Sequence, residues 1–392
     1  DSVVELDIAA GKVLRTLPMR FENLRLFGAQ PNALALSADK KTLYVACGGD
    51  NAVAELDAKS GKIRGYRPAG YYPTALALAS DATLWAVNTK GNGSVKNTTK
   101  GHPGNAHDFQ GTVSVVDLNA DLKQTTARVA ELNGWKRDRT ALNPKKKVFS
   151  GAIQHVLYII KENRTYDEVF GDMPQGNGDA SLCGLGEVVT PNHHALARAF
   201  TLFDNGYVSG TNSADGHHWT DGAIANDYLE HMYTGYRTYP DDGEDPMGQN
   251  ASGYLWDNAV NNKKSVRIYG EFCEDSRAIY TPTPKNWQEM WKDRGIGRIK
   301  TQARPLIPSV AKLCHPNYLY WPLWQSDQAR ADIFIEEFNK FSKEKKVPNL
   351  MILSLPSDHT EGLNPAYPTP KSMVADNDLA LGRIVEAVSK SP

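Results

Sequence analysis

Two short apolar runs in this chain end abruptly in metal-binding residue types. His155-Val156-Leu157-Tyr158-Ile159-Ile160 is brief, β-branched and nearly continuous in apolarity, the pattern of a strand buried on both faces. It leads directly into Lys161, Glu162 and Asn163. Leu350-Met351-Ile352-Leu353-Ser354-Leu355 behaves the same way and delivers Asp358, His359 and, two positions on, Glu361. In an open α/β sheet ligands bind beyond the carboxyl ends of the strands. Carboxylate and imidazole there suit zinc, manganese or iron, whereas an all-oxygen set suits calcium or magnesium. The same residues also serve as polar strand caps, because carboxylates are common in loops.

A third polar run, Val208-Ser209-Gly210-Thr211-Asn212-Ser213-Ala214-Asp215-Gly216-His217-His218-Trp219, lies where a strand is expected to hand over to a helix. A helix N-terminus stabilises an ionised hydroxyl and an incoming phosphate, which makes the hydroxyls of Thr211 and Ser213 candidate nucleophiles. Asp215, His217 and His218 could orient such a nucleophile or contact phosphate oxygens. They also fit as turn and cap formers, the reading preferred for His218.

Strands and helices must alternate to hold these runs at one edge. Helices are expected over 193–200, 221–233, 327–343 and 376–389, the last capped by Asp376. Strands are expected over 200–208, 266–270 and 350–355. Such alternation calls for a mainly parallel sheet with covering helices.

Before residue 149 the chain repeats itself. Pro31-Asn32-Ala33-Leu34-Ala35-Leu36 with Leu43-Tyr44-Val45-Ala46 returns 42 positions later as Pro73-Thr74-Ala75-Leu76-Ala77-Leu78 with Leu84-Trp85-Ala86-Val87. Val3-Val4-Glu5-Leu6-Asp7 returns as Val53-Ala54-Glu55-Leu56-Asp57 and again as Val113-Ser114-Val115-Val116-Asp117. Short alternating strands at this period read as propeller blades, of which only part of a closed ring is present. The insertion over 89–110 is a blade loop, either solvated or lying over a neighbouring site. Lys145-Lys146-Lys147 reads as a solvated linker rather than a nucleic-acid patch.

The stretch Ile159-Ile160-Lys161-Glu162-Asn163-Arg164-Thr165-Tyr166-Asp167 with Phe170-Gly171 resembles the "ENRSFDxxFG" opening of a phosphoesterase family. That family contains bacterial phospholipases C and acid phosphatases and is a branch of the alkaline-phosphatase-like superfamily. Leu355-Pro356-Ser357-Asp358-His359-Thr360-Glu361-Gly362 resembles the "LPxDHTxG" signature of its propeller-linked members. The repeat "LYVACGGDNAVAELDAKSGK" resembles the YVTN type of bacterial propeller.

The resemblance implies an alkaline-phosphatase-like α/β domain over 149–392, preceded by an all-β partial β-propeller over 1–148, with a cap over 271–316. It implies a metal centre built on Glu162, Asn163, Asp358 and His359, with Glu361 a further candidate and zinc the leading ion. Phe200-Thr201-Leu202-Phe203-Asp204 matches the family's "FTLCD" strand, but the "GPTxPNR" segment that carries the nucleophile has become TNSADGH. Counting from Asp204 places Ser213 at the nucleophile position, with Thr211 next. The implied reaction is metal-dependent hydrolysis of a small-molecule or lipid phosphate mono- or diester through a phosphorylated serine. A propeller-based binding or scaffold protein with a degenerate phosphoesterase domain is the alternative. A sulfatase is disfavoured, because no CxPxR pattern occurs at this junction.

The resemblance further implies a periplasmic or secreted protein, in which Cys273 and Cys314 form the best disulfide pair. It also implies that further blades and a second Asp and His cluster belong to a longer parent chain, leaving these residues alone with an incomplete centre and little activity. Composition adds exclusions. Lys plus Arg number 44 against 45 Asp plus Glu, so overall charge favours neither nucleic acid nor an anionic membrane. No apolar stretch approaches the roughly 20 residues that span a bilayer, and Cys47, Cys183, Cys273 and Cys314 lack CxxC spacing.

Overall fold

The computed structural model describes residues 1–19, 28–80, 82–93, 110–135, 151–206, 213–232, 245–294, 296–321 and 323–391. The chain divides into two compact units, Asp1–Val148 with Ile224–Tyr236, and Phe149–Ala223 with Arg237–Pro392. No described helix is long and apolar enough to cross a membrane.

The first unit is built of antiparallel sheet. Strands β1 (Ser2–Asp7) and β2 (Lys12–Pro18) form a hairpin. A four-stranded meander follows from β3 (Pro31–Leu36), β4 (Thr42–Cys47), β5 (Ala52–Asp57) and β6 (Ile63–Pro68). A three-stranded sheet consists of β7 (Tyr71–Ser80), β8 (Thr83–Gly91) and β9 (Thr112–Asp117). Among the described residues no closed propeller or barrel is seen. After β9 the chain enters a helix, α1 (Leu122–Leu132), capped by Asp121. Gly65 allows α1 to approach β6, since a Cβ there would lie 2.4 Å from the Thr126 hydroxyl. That hydroxyl instead accepts from the Tyr66 N–H at 2.8 Å. The insertion expected over 89–110 lies mostly outside the described residues, as do Lys145, Lys146 and Lys147.

The second unit is α/β. Its elements run β10 (Val156–Lys161), α2 (Tyr166–Phe170), α3 (Pro191–Ala199) and α4 (Ser213–Gly222). Helix α5 (Asp227–Met232) clusters with the first unit. The second unit resumes with α6 (Leu255–Asn261), β11 (Val266–Tyr269), β12 (Cys273–Thr281), α7 (Trp287–Asp293) and β13 (Lys300–Pro305). It ends with α8 (Asp327–Lys343), β14 (Leu350–Leu355) and α9 (Pro370–Ser389). Strands β10, β14 and β11 form a parallel sheet with β14 in the centre, in the register Ile159↔Leu353 and Tyr269↔Leu353.

All six β14 residues are buried, as its unbroken apolarity predicts for a central parallel strand. Alternate side chains serve opposite layers. Met351, Leu353 and Leu355 pack with Phe334 and Phe338 of α8 and with Ala380 and Ile384 of α9. Leu350 and Ile352 pack with Trp256, Phe272, Ile307 and Val310. Ser354 continues this second row at the strand's carboxyl end.

The structure departs from three expected elements. Residues 201–206 form no strand, and Phe200 and Phe203 are exposed, so this segment buries nothing that would repay pairing. The helix expected over 221–233 is two helices, α4 and α5, separated at Ala223, whose φ of 55° is incompatible with a continuing right-handed helix. Helix α9 begins at Pro370, with Thr369 as its cap accepting from the Ser372 N–H, so Asp376 lies inside it.

Cys273 and Cys314 are disulfide-bonded with Cα atoms 6.2 Å apart. The bridge holds the 313–315 segment beside β11, where the Ile268 N–H donates to the Leu313 carbonyl at 3.0 Å.

Candidate metal centre

Helix α4 supplies the centre's first two donors. Ser213, His217 and Asp221 recur every fourth residue and therefore share one helix face. His217 and Asp221 are both buried. Glu271 arrives from the end of β11 through Gly270, which takes φ +99°, and a Cβ at that position would meet Ser354 and Tyr318 at 3.2 Å. Glu162 follows the last residue of β10. Glu162 and Glu271 thus leave the carboxyl edge of one parallel sheet, where this architecture gathers ligands.

One ligand atom from each of His217, Asp221 and Glu271 lies within 4.8 Å of the others, a spacing that could hold a metal ion. His217 Nδ1 is 2.7 Å from Glu271 Oε1, and Nε2 is 3.4 Å from Glu162 Oε2. The Tyr320 hydroxyl donates to Glu162 Oε1 and lies 3.0 Å from His217 Nε2. Ser354 Oγ donates to Glu271 Oε2 at 2.7 Å. Tyr320 is held in turn by the fully buried Arg330, whose guanidinium donates to the Leu319 and Tyr320 carbonyls at 2.8 Å.

This packing polarises the titrating groups. Burial disfavours the imidazolium of His217, but the Glu271 and Glu162 carboxylates outweigh it and raise His217 well above its ordinary range. Burial likewise works to raise Glu271, yet the His217 charge and hydrogen bonds from its neighbours hold it down at about 2. Asp221 is raised well above the usual carboxylate range by burial and by the facing Glu271. Neither Asp221 oxygen accepts from a donor among the described residues. A buried carboxyl group facing a second carboxylate, without a donor of its own, is a natural acceptor for a cation.

The other expected residues have different surroundings. Asp358 accepts from Lys161 Nζ at 2.7 Å, from the Glu162 N–H at 3.2 Å and from Asn377 at 3.4 Å. Burial pushes it up to about 6 against the pull of Lys161. Glu162 and Asp358 therefore do meet, through backbone and carboxylate. His359 Nδ1 is 2.9 Å from the Thr360 carbonyl, and its ring stands edge-on to Trp321. Arg164 braces this turn by donating to the Asp358 and His359 carbonyls at 2.7 and 2.9 Å.

Asn163 is exposed and Glu361 half-buried. Asp215 is buried in α4, two residues before His217 and hence on another face. His218 is a packing residue between Tyr254 and Phe272, its Nδ1 2.9 Å from the Tyr254 hydroxyl. Ser213 is half-buried at the first position of α4, and Thr211 lies outside the described residues.

No family model matches this chain. No curated protein matches it either. Among solved structures it is similar to Kuenenia stuttgartiensis hydrazine synthase at 22% identity and a TM-score of 0.18, over 26% of this chain and 24% of that one. The chain thus spans about a quarter of that protein's length, and a likeness this slight carries no argument about fold or function.

Three members of the centre were not singled out from sequence. Asp221 carried a readable signal, its place four residues after His217. Glu271 carried another, because it follows an apolar strand much as Glu162 does. Tyr320 had none, since only the fold brings it beside Glu162.

Proposed function

We propose that the second unit is a metal-dependent phosphoester hydrolase of the alkaline-phosphatase-like kind, with its cation held by His217, Asp221 and Glu271 and with Glu162 adjoining. The observation that carries this reading is the buried convergence of these three side chains, their ligand atoms within 4.8 Å of one another, beside the carboxyl edge of the parallel sheet. An imidazole with carboxylates suits zinc first, then manganese or iron. A bound cation would polarise a phosphoryl oxygen and offset charge on the attacked group.

The chain's own residues do the rest. Ser213 opens α4, where the helix N-terminus favours an anionic phosphoryl group, and its place on the face of His217 and Asp221 makes it the nucleophile of this proposal. Ser354 and Tyr320 orient Glu271 and Glu162. The substrate would be a small-molecule or lipid phosphate ester. Ser213 Oγ would bond to phosphorus as the ester P–O bond breaks and the alcohol leaves with the serine's proton. Water would then cleave the phosphoserine to free serine and phosphate, or to a phosphomonoester where the substrate is a diester. The antiparallel meander of the first unit accords with propeller blades, and the Cys273–Cys314 bridge accords with an exported protein.

A second reading, a binding or scaffold protein with a degenerate hydrolase unit, is favoured by one observation. Asp358 and His359, the ligands that the family resemblance implies, are engaged by Lys161, Thr360 and Trp321. Metal analysis after loading with zinc or manganese, with a panel of chromogenic phosphate and sulfate esters, separates the two. The hydrolase reading expects bound metal and phosphate-ester turnover that Ser213→Ala abolishes. Bound metal without turnover supports the scaffold, and absence of both overturns the proposed centre.

A further inference from the structure

A cavity of about 300 Å³ in the second unit lies among residues that the hydrolase proposal does not use. Three indoles line it, those of Trp287, Trp291 and Trp324, together with four oxygen-bearing side chains, Ser326, Ser357, Ser372 and Asp376. Its volume sits at the low end for small-ligand sites, which are commonly apolar clefts with a few convergent polar groups.

Asp376 is the cavity's acid. Its Oδ2 accepts from the Asp327 N–H at 2.8 Å, at the first turn of α8, and the Gln328 N–H adds a second backbone hydrogen bond to the carboxyl. Arg330, a nearby cation, is committed to Asp327 at 3.0 Å and to main-chain carbonyls. Arg294, which stands 5.7 Å from the Trp291 ring centroid, is held by Asp332 at 2.9 Å. An aromatic wall attracts a cation through its ring faces, and a carboxylate with neighbouring hydroxyls can accept several N–H donors at once.

We propose that this cavity binds a primary ammonium ion carried on a small planar ring. The ring stacks among the indoles, and the ammonium donates to the Asp376 carboxylate and to the hydroxyls of Ser326 and Ser357. The three N–H donors of a primary ammonium find acceptors among these oxygens, which distinguishes it from a quaternary ammonium that has no N–H to give.

Isothermal titration of the full metal-free chain tests this with benzylammonium, benzyl alcohol and benzyltrimethylammonium. Benzylammonium binds with one-to-one stoichiometry, and both analogues bind at least about tenfold more weakly, the difference expected for hydrogen bonds to a charged partner. Asp376→Asn keeps an oxygen for the Asp327 N–H and lowers benzylammonium to the level of the alcohol. Trp291→Leu, at a ring that is 46% exposed and so dispensable for folding, weakens amine and alcohol together. Equal binding of the three ligands, no binding of benzylammonium at millimolar concentration, or affinity unchanged in both variants overturns the proposal. If the asparagine variant does not fold, the ligand comparison and the leucine variant decide alone.

Discussion

His217 Nδ1 and Glu271 Oε1 lie 2.7 Å apart although 54 residues separate them in sequence. Neither residue occurs in a local motif with the other. They meet because α4 presents its Ser213, His217, Asp221 face toward the edge where β11 ends, and Gly270 turns Glu271 into that space. The pair is fully buried, so its proton is shared in an environment where removing either partner would strand a charge.

Metal binding at this pair should expel protons. His217 is raised and Asp221 is raised, so each keeps its proton to higher pH than usual when no cation is present, and a cation must displace the protons that are held. Zinc titrations in buffers of different ionisation enthalpy should show protons released on binding and affinity rising with pH. Asp221→Asn should release fewer protons than the parent. Ser354→Ala, which removes the donor to Glu271, should weaken zinc by about 10–100-fold. Proton release unchanged in Asp221→Asn would exclude that carboxylate from the centre.

Asp376 makes stability fall as pH rises. Burial pushes its carboxyl up to about 7 in the folded protein, from 3.8. The folded chain therefore holds a proton that the unfolded chain releases across this window, so stability is lost as pH climbs from about 4 to about 7. Groups such as Glu271 act with the opposite sign and at lower pH, which is why the difference between variant and parent is the informative quantity. Calorimetric melting of Asp376→Asn against the parent should show the variant gaining relative stability from pH 4 to pH 7. A constant difference across that range would contradict the assignment.

The Cys273–Cys314 bridge closes a loop spanning 41 positions. Loop closure of that length contributes about 4 kcal/mol in the chain-entropy model, and observed losses run about 2–5 kcal/mol. Cys314→Ser should lower the urea midpoint of the second unit accordingly, and reductant should do the same to the parent while leaving the variant unchanged. Cys47 and Cys183 are free and provide no competing bridge. A parent indifferent to reductant would show that the bridge does not support the fold.

Several features were legible in the sequence because they depend on local periodicity. The run 350–355 read as a strand buried on both faces and is one, and α8 over Asp327–Lys343 read from its apolar spacing. The run 155–160, read the same way, instead forms β10 (Val156–Lys161), which is exposed to half-buried because it is an outer strand of its sheet. Glu162 and Asp358 follow the carboxyl ends of those strands, and the register of β10 on β14 brings them together. The start of α9 was misplaced because Asp376 has a cap's chemistry but Thr369 holds the capping position, with Pro370 following it at the first helical residue.

Local periodicity dictates where the parallel strands run and which acids follow them, since alternation and apolar runs are properties of neighbouring residues. Which acids share a cavity was decided by tertiary structure. Helix α4 chooses its face by packing, so Asp221 joins His217 while Asp215 does not. Lys161 takes Asp358 out of service as a free carboxylate, and Arg330, anchored in α8, fixes the segment that carries Tyr320 to Glu162. Such pairings are set by burial and charge compensation across tens to hundreds of residues, and no spacing within the chain encodes them.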